Sequence, residues 1–304
     1  MTEIVLLGAP TEAGTYRKGC IMGPAALRTA NLAETLAGLG HRVVRDADVV
    51  PDPVSIKNAP YERARNVGET AGWVRGVRAA VASALRDGAF PILMGGDHSI
   101  AGGSLAALMD VAPRTHVVWL DAHPDFNSLA TTQSGNLHGT AVAIACGLEG
   151  SDLIYGAPIV PLPGKNVTMI GVRSVDPAER GLLSAAGVVV HDMRDVDEHG
   201  VGGLTRAAIE RAVADDAPIH VSLDVDFLDP EIAPAVGTTV PGGATFREAH
   251  LAMELLHESG RVKSLDLVEL NPFLDERGRT ATLMVDLAAS LFGRTIMDRP
   301  TRSW

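Results

Sequence analysis

Eight short strand-patterned runs, all apolar but the more exposed second, are spaced through the chain between longer helix-patterned segments and limit how this sequence can fold. They are Ile4 to Leu7, His41 to Val49, Ala89 to Met94, His116 to Leu120, Val167 to Ile170, Gly187 to Val190, Ile219 to Leu223 and Val262 to Val268. Ala89 to Met94 is apolar throughout, as a parallel strand covered on both faces must be. Strands alternating with helices build a parallel sheet with helices on both sides. The expectation is an α/β fold: one three-layer αβα domain over residues 1–304, around a mostly parallel sheet of about eight strands. Ala25 to Leu39 reads as a helix behind Pro24, stopped by Gly40. Tyr61 to Leu85 reads as one long amphipathic helix. Ile100 to Met109, Thr140 to Cys146, Leu204 to Ala214, Thr245 to His257 and Arg279 to Phe292 read as further helices. Gly147 to Gly164 reads as an irregular connection and Asp192 to His199 as a solvated, charge-rich loop.

Five of the runs end in residues that carry chemistry. They deliver His98; then Asp121, His123 and Asp125; then Asp176; then Asp224 and Asp226; then Glu269. Residues two apart in extended chain point the same way, so Asp121, His123 and Asp125 share a face where the strand geometry persists. A divalent metal relieves such a cluster, because it takes anionic oxygen and neutral nitrogen ligands. Asp224-Val225-Asp226 repeats the spacing. Glu269 ends a buried strand, where an unpaired charge is costly, so it meets a bound cation or an arginine of the chain. Asp97 and Asp176 also read as helix caps, and Asp229 before Pro230 as turn chemistry. Taken together, the five ends fall on the carboxyl edge of the sheet, where open α/β folds keep their sites. The loop Ser128 to His138 offers hydroxyls and amides to a small polar ligand, with His138 as a proton-transfer candidate. His191, His199, His220, His250 and His257 sit in no cluster and read as structural or exposed.

The net charge of −11 argues against a nucleic-acid footprint and is compatible with a small cationic substrate. The two cysteines, Cys20 and Cys146, form neither a disulfide framework nor a zinc-finger spacing. The start of the sequence lacks a basic region before its short apolar run, and no run approaches a membrane span. A cytoplasmic enzyme is expected, with no membrane partner.

Gly95-Gly96-Asp97-His98-Ser99, Asp121-Ala122-His123-Pro124-Asp125, Ser134-Gly135-Asn136-Leu137-His138-Gly139 and Ser222-Leu223-Asp224-Val225-Asp226-Phe227-Leu228-Asp229-Pro230 together resemble the signature set of the ureohydrolases. The resemblance runs from Gly8-Ala9-Pro10 to Arg279-Thr280-Ala281. The loop 134–139 and Val268-Glu269-Leu270-Asn271-Pro272 resemble the arginase branch. That resemblance implies two Mn(II) ions, His98 and Asp125 holding one, His123 and Asp226 the other, with Asp121 and Asp224 bridging. It implies hydrolysis of L-arginine to L-ornithine and urea by hydroxide from the metal pair. Asp125 would orient the hydroxide, Asp226 stabilise the tetrahedral intermediate, Glu269 pair with the guanidinium and His138 shuttle the proton. Asn127, Ser134 and Asn136 would bind the α-carboxylate. Asp176 and Glu179 would meet the α-ammonium, and Thr238 would lie beside the guanidinium. It also implies a homo-oligomer, trimer or hexamer. Three positions depart from the pattern: Ser174 replaces an aspartate, Thr239 replaces a common proline, and Thr140-Ala141 replaces a larger residue followed by proline. The alternatives are a ureohydrolase for agmatine or a guanidino acid and, more distantly, a metal-dependent amide hydrolase or deacetylase.

Overall fold

The computed structural model describes residues 1–54, 56 and 59–297. Its strands are β1 (Glu3–Ala9), β2 (Arg42–Asp48), β3 (Phe90–Gly95), β4 (His116–Leu120), β5 (Val167–Val172), β6 (Val189–Asp192), β7 (Ile219–Asp224) and β8 (Val262–Val268). All pair in parallel in one sheet of order β2-β1-β3-β8-β7-β4-β5-β6. The helices are α1 (Gly23–Thr29), α2 (Leu32–Gly38), α3 (Val67–Arg86), α4 (Ala101–Val111), α5 (Ala141–Ala145), α6 (Ser151–Tyr155), α7 (Pro177–Ala186), α8 (Met193–Ala214), α9 (Phe246–Glu258) and α10 (Arg279–Leu291).

Alternation along each strand feeds two cores. Ile4, Leu6, Ile92, Leu120, Val221 and Leu265 pack with α1, α2, α8, α9 and α10. Val5, Leu7 and Leu93 face α3, while Trp119 and Met169 face α4, α5 and α7. Burial on both sides is why the central strands read as continuous apolar runs. The order of the sheet decides where a site forms. The chain leaves β3 through α4 and enters β4, skipping two places that β8 and β7 later fill. The carboxyl ends of β3, β8, β7 and β4 thus lie side by side.

Four expectations change. The segment 25–39 is two helices, because Asn31 sits in the left-handed region at φ 63° and breaks the run. The long helix starts at Val67, six residues later than Tyr61, because Asn66 is also left-handed and its side-chain amide donates to the Ala13 carbonyl. Asp192 to His199 is not a loop but the first half of α8. Asp192 caps it by accepting from the Asp195 amide, Arg194 pairs with Glu198 one turn on, and Gly200 breaks the helical geometry. The connection 147–164 also contains α6. Among the described residues no helix is long and apolar enough to cross a membrane.

Candidate metal centre and active site

At the end of β3 the backbone turns against Thr11, and a Cβ on Gly96 would lie 2.0 Å from the Thr11 carbonyl oxygen. Only glycine fits there. Asp97 caps the following turn, accepting from the Ser99 amide at 3.1 Å and the Gly14 amide at 3.0 Å. His98 is then stacked flat on Trp119, with ring centroids 4.0 Å apart. Its Nε2 lies 2.8 Å from the Ser222 hydroxyl. Its Nδ1 faces Asp121 Oδ2 at 3.1 Å, Asp125 Oδ2 at 3.2 Å and Asp224 Oδ2 at 3.1 Å.

A second group adjoins the first. His123 Nδ1 is 3.0 Å from Asp226 Oδ2 and 3.6 Å from Asp121 Oδ1, so Asp121 faces both imidazoles. Backbone amides fix an oxygen on three of these carboxylates. Asp121 Oδ1 accepts from the His123 amide, Asp224 Oδ1 from the Asp226 amide and Asp226 Oδ1 from the Ala122 amide. Trp119 Nε1 also donates to Asp121 Oδ2 at 2.9 Å. The oxygens left over converge with the imidazole nitrogens. His98, Asp121 and Asp125 form one candidate cation site, and Asp121, His123 and Asp226 the other. Asp125 at φ 48° is held in a conformation that such residues seldom adopt, which marks a site built under constraint.

The cluster has no satisfactory proton arrangement of its own. Burial pushes the Asp125 and Asp224 carboxyls well above the usual range, with nearby carboxylates adding to it. Burial and Asp121 raise Asp226 likewise. Burial also works to raise Asp121, but the His123 and His98 imidazoles outweigh it and hold that carboxyl low. Burial would lower His98 and His123, but the surrounding carboxylates hold His98 far above its ordinary value and push His123 up to about 12. Despite three oxygens within 3.2 Å, the buried His98 Nδ1 makes no hydrogen bond. A central cation resolves both problems. Ligands about 2.1 Å from a cation in octahedral geometry stand about 3 Å apart. The imidazole-to-carboxylate spacings above have that size.

Above the cluster lies a cavity of ≈ 130 Å³ lined by His123, Asp125, Asp224 and Asp226, with His138, Asn127, Thr132, Ser134, Asn136, Asp176, Glu179 and Thr238 around it. Asp125, Asp224, Asp226 and Glu179 are buried, whereas Ser134 and Asp176 are exposed at the rim. Gly135 sets the rim turn: it adopts φ 76°, and a Cβ there would lie 2.1 Å from the Arg63 carbonyl oxygen.

The Arginase family model matches residues 2–293. The arginase of Brucella melitensis is 51% identical over 98% of this chain and 99% of that protein. The arginase of Agrobacterium fabrum is 48% identical over 98% of this chain and 93% of its own. The native structure of Bacillus caldovelox arginase superposes with a TM-score of 0.91, at 38% identity, over 98% of this chain and 100% of that one. This chain belongs to the arginase family.

Within that arginase framework, the sequence-derived residues fall in three places. His98, Asp121, His123, Asp125, Asp224 and Asp226 form the cluster. Asn127, Ser134, Asn136, Asp176, Thr238 and His138 line the cavity. Glu269 lies behind His138, at φ 64°, accepting from the His98 amide at 2.8 Å and sitting 2.9 Å from His138 Nδ1. Burial would raise its carboxyl, but His138 outweighs that and holds it low. Burial would lower His138, but Glu269 outweighs that and pushes it up to about 9. Glu179 lines the cavity but spends both oxygens on the amides of Phe126 and Asp176, so it braces the wall. Asp176 accepts from the Asn127 side chain at 3.3 Å. Asp229 is turn chemistry, accepting from the amides of Glu231, Gly242 and Gly243.

Sequence reasoning passed over Trp119, Ser222 and Arg173, and did not single out Thr132 within the loop 128–138. Trp119 and Ser222 stand two residues before Asp121 and Asp224, on the same strand faces. That spacing was a signal for a supporting role.

Proposed function

We propose that this chain hydrolyses the guanidinium group of L-arginine, giving L-ornithine and urea, with two Mn(II) ions per subunit. The supporting observation is the pair of His/Asp groups that share Asp121 at the floor of a small polar cavity. His98, Asp121, Asp125 and Asp224 would hold one ion, and His123, Asp226 and the shared Asp121 and Asp224 the other. When bound, a pair of divalent ions lowers the pKa of water and supplies hydroxide near neutral pH.

The chain's own residues do the rest. Asn127, Ser134 and Asn136 orient the α-carboxylate at the rim, and Asp176 receives the α-ammonium. That places the guanidinium toward the buried acids and Thr238. Asp125 directs the nucleophile at the guanidinium carbon, and Asp226 lies on the side where charge is redistributed. Oxygen adds, the carbon–nitrogen bond to the side chain breaks, and the leaving amine takes a proton. His138 is suited to deliver that proton. Its Nδ1 is committed to Glu269, which leaves Nε2 for the cavity. Glu269 acts through His138 and the His98 backbone, and its charge favours a guanidinium nearby.

In this reading the chain acts as one domain, in the cytoplasm, as a homotrimer or homohexamer. The test is urea release from Mn(II)-loaded protein given arginine, agmatine and 4-guanidinobutyrate side by side. Preference for arginine is expected. Preference for agmatine or 4-guanidinobutyrate would keep the metal chemistry and overturn the amino-acid contacts at Asn127, Ser134 and Asn136.

A further inference from the structure

One side chain ties the loop carrying Thr238 to the metal-binding cluster. Arg173 leaves the end of β5, and its half-buried guanidinium donates only to backbone carbonyls. Nε reaches the Val240 oxygen at 3.1 Å, and Nη1 the Gly171 oxygen at 3.1 Å. Nη2 reaches the oxygens of Asp226 at 2.6 Å, Val240 at 2.7 Å and Leu228 at 3.4 Å. The amides of Arg173 and Ser174 also donate to the Ala122 carbonyl at 2.9 and 3.0 Å. One residue therefore spans three segments: Ala122 between Asp121 and His123, residues 226–228, and residues 237–240.

The guanidinium sits in space that only glycine leaves open: a Cβ at Gly243 would lie 2.6 Å from Nη2. A planar fork with five N–H donors can serve carbonyls on different sides, which a lysine ammonium cannot do from one point. The held loop needs such support. Thr238 lines the cavity and its hydroxyl lies 3.3 Å from Asp226 Oδ2. Residues 237–240 also form the wall of a second hollow that meets the cavity at His123, Ser174 and Thr238. A shift of that wall moves Thr238 and the mouth together.

We propose that Arg173 is a positioning residue, holding Asp226 and Thr238 in one register so that the metal end and the guanidinium end of the cavity stay aligned. This rests on the arginine-hydrolysis reading above. The test compares Arg173→Lys, which keeps the charge, with Arg173→Met, which keeps only the apolar stem. Metal content, melting temperature, kcat and KM for arginine, and inhibition by ornithine, which lacks the guanidinium, are measured for each. Both variants are expected to fold and bind two Mn(II). Ornithine inhibition should stay within threefold of wild type, while kcat/KM for arginine falls about 100-fold, the scale of an ångström-size misplacement. Lysine behaving like methionine shows that the fork matters and not the charge. Wild-type kcat/KM in the lysine variant would overturn the proposal. So would loss of metal and ornithine binding in step with turnover, which marks a general structural role. If the methionine variant fails to fold, the lysine variant decides alone. A wild-type protein that releases no urea from arginine would instead reject the parent reading.

Discussion

The Ser222 hydroxyl lies 2.8 Å from His98 Nε2, on the side of the imidazole away from the acid cluster. Because Nε2 is engaged there, Nδ1 is left facing three carboxylate oxygens. Trp119 fixes the ring plane by stacking. A histidine ligand whose second nitrogen is held keeps one tautomer and one orientation. Ser222→Ala is therefore expected to weaken binding at one of two Mn(II) sites by about 10–100-fold, read by metal titration. Unchanged affinity would mean that the Trp119 stack alone orients the ring.

His138 and Glu269 form a pair separated by 131 positions in the chain, and neither belongs to the two candidate cation groups. His138→Asn should keep both metal ions and slow turnover by about 10²–10⁴-fold, the usual scale of a lost proton-transfer group. Metal loss in this variant would make His138 a ligand and not a shuttle. Metal content and kcat measured on one preparation separate the two.

Asp226 serves the cluster twice, through Oδ2 beside His123 and through Oδ1 on the Ala122 amide. Asp226→Ala is expected to abolish turnover and weaken one metal. In the wild-type protein, Mn(II) at one hundred times its Kd should stabilise the fold by about 2.7 kcal/mol for each site filled. Thermal melts across a manganese series check this, and a midpoint that ignores manganese would count against a metal-built site.

Much of this site was legible because the cluster residues follow the ends of apolar runs. In the sequence, period-two spacing groups Asp121, His123 and Asp125, and Asp224 with Asp226. In the structure β4 ends at Leu120, Asp125 turns at φ 48° and Asp226 lies in a 3-10 turn, so tight turns and not extended chain bring these side chains together. Side-by-side placement of those strand ends was not legible in detail. It depends on β8 and β7 filling the gap between β3 and β4, which only tertiary pairing sets. The Glu269 partner was left open between a bound cation and an arginine, and the structure gives it His138. Arg173 left no sequence signal because its partners are carbonyls, which every residue has. Asn31 and Asn66 broke expected helices through left-handed backbone, and the Asn66 bond to Ala13 is a contact between distant segments. The first half of α8 was hidden by its charges, which read as solvation although Arg194 and Glu198 are one turn apart.

A pH effect on stability is expected far from the His/Asp cluster. His250 is buried on α9, bonded through Nδ1 to the Ser290 hydroxyl. Burial, with Arg247 nearby, holds its imidazole below the ordinary value. Its folded-state pKa is depressed, so the unfolded chain takes up a proton that the folded chain refuses. Stability from this group is present above the unfolded value of about 6.5 and falls as pH drops through it. His250→Gln should lessen the drop in melting temperature between pH 8 and pH 5.5. An identical drop in both proteins would remove His250 from the acid response.

The most direct test of the central claim is a titration of metal-free protein with Mn(II) in the presence of arginine, following urea and bound metal together. Urea release should rise as metal is added and level off at two ions per chain. Two ions bound with no urea released would contradict the account, and so would full activity at a single ion.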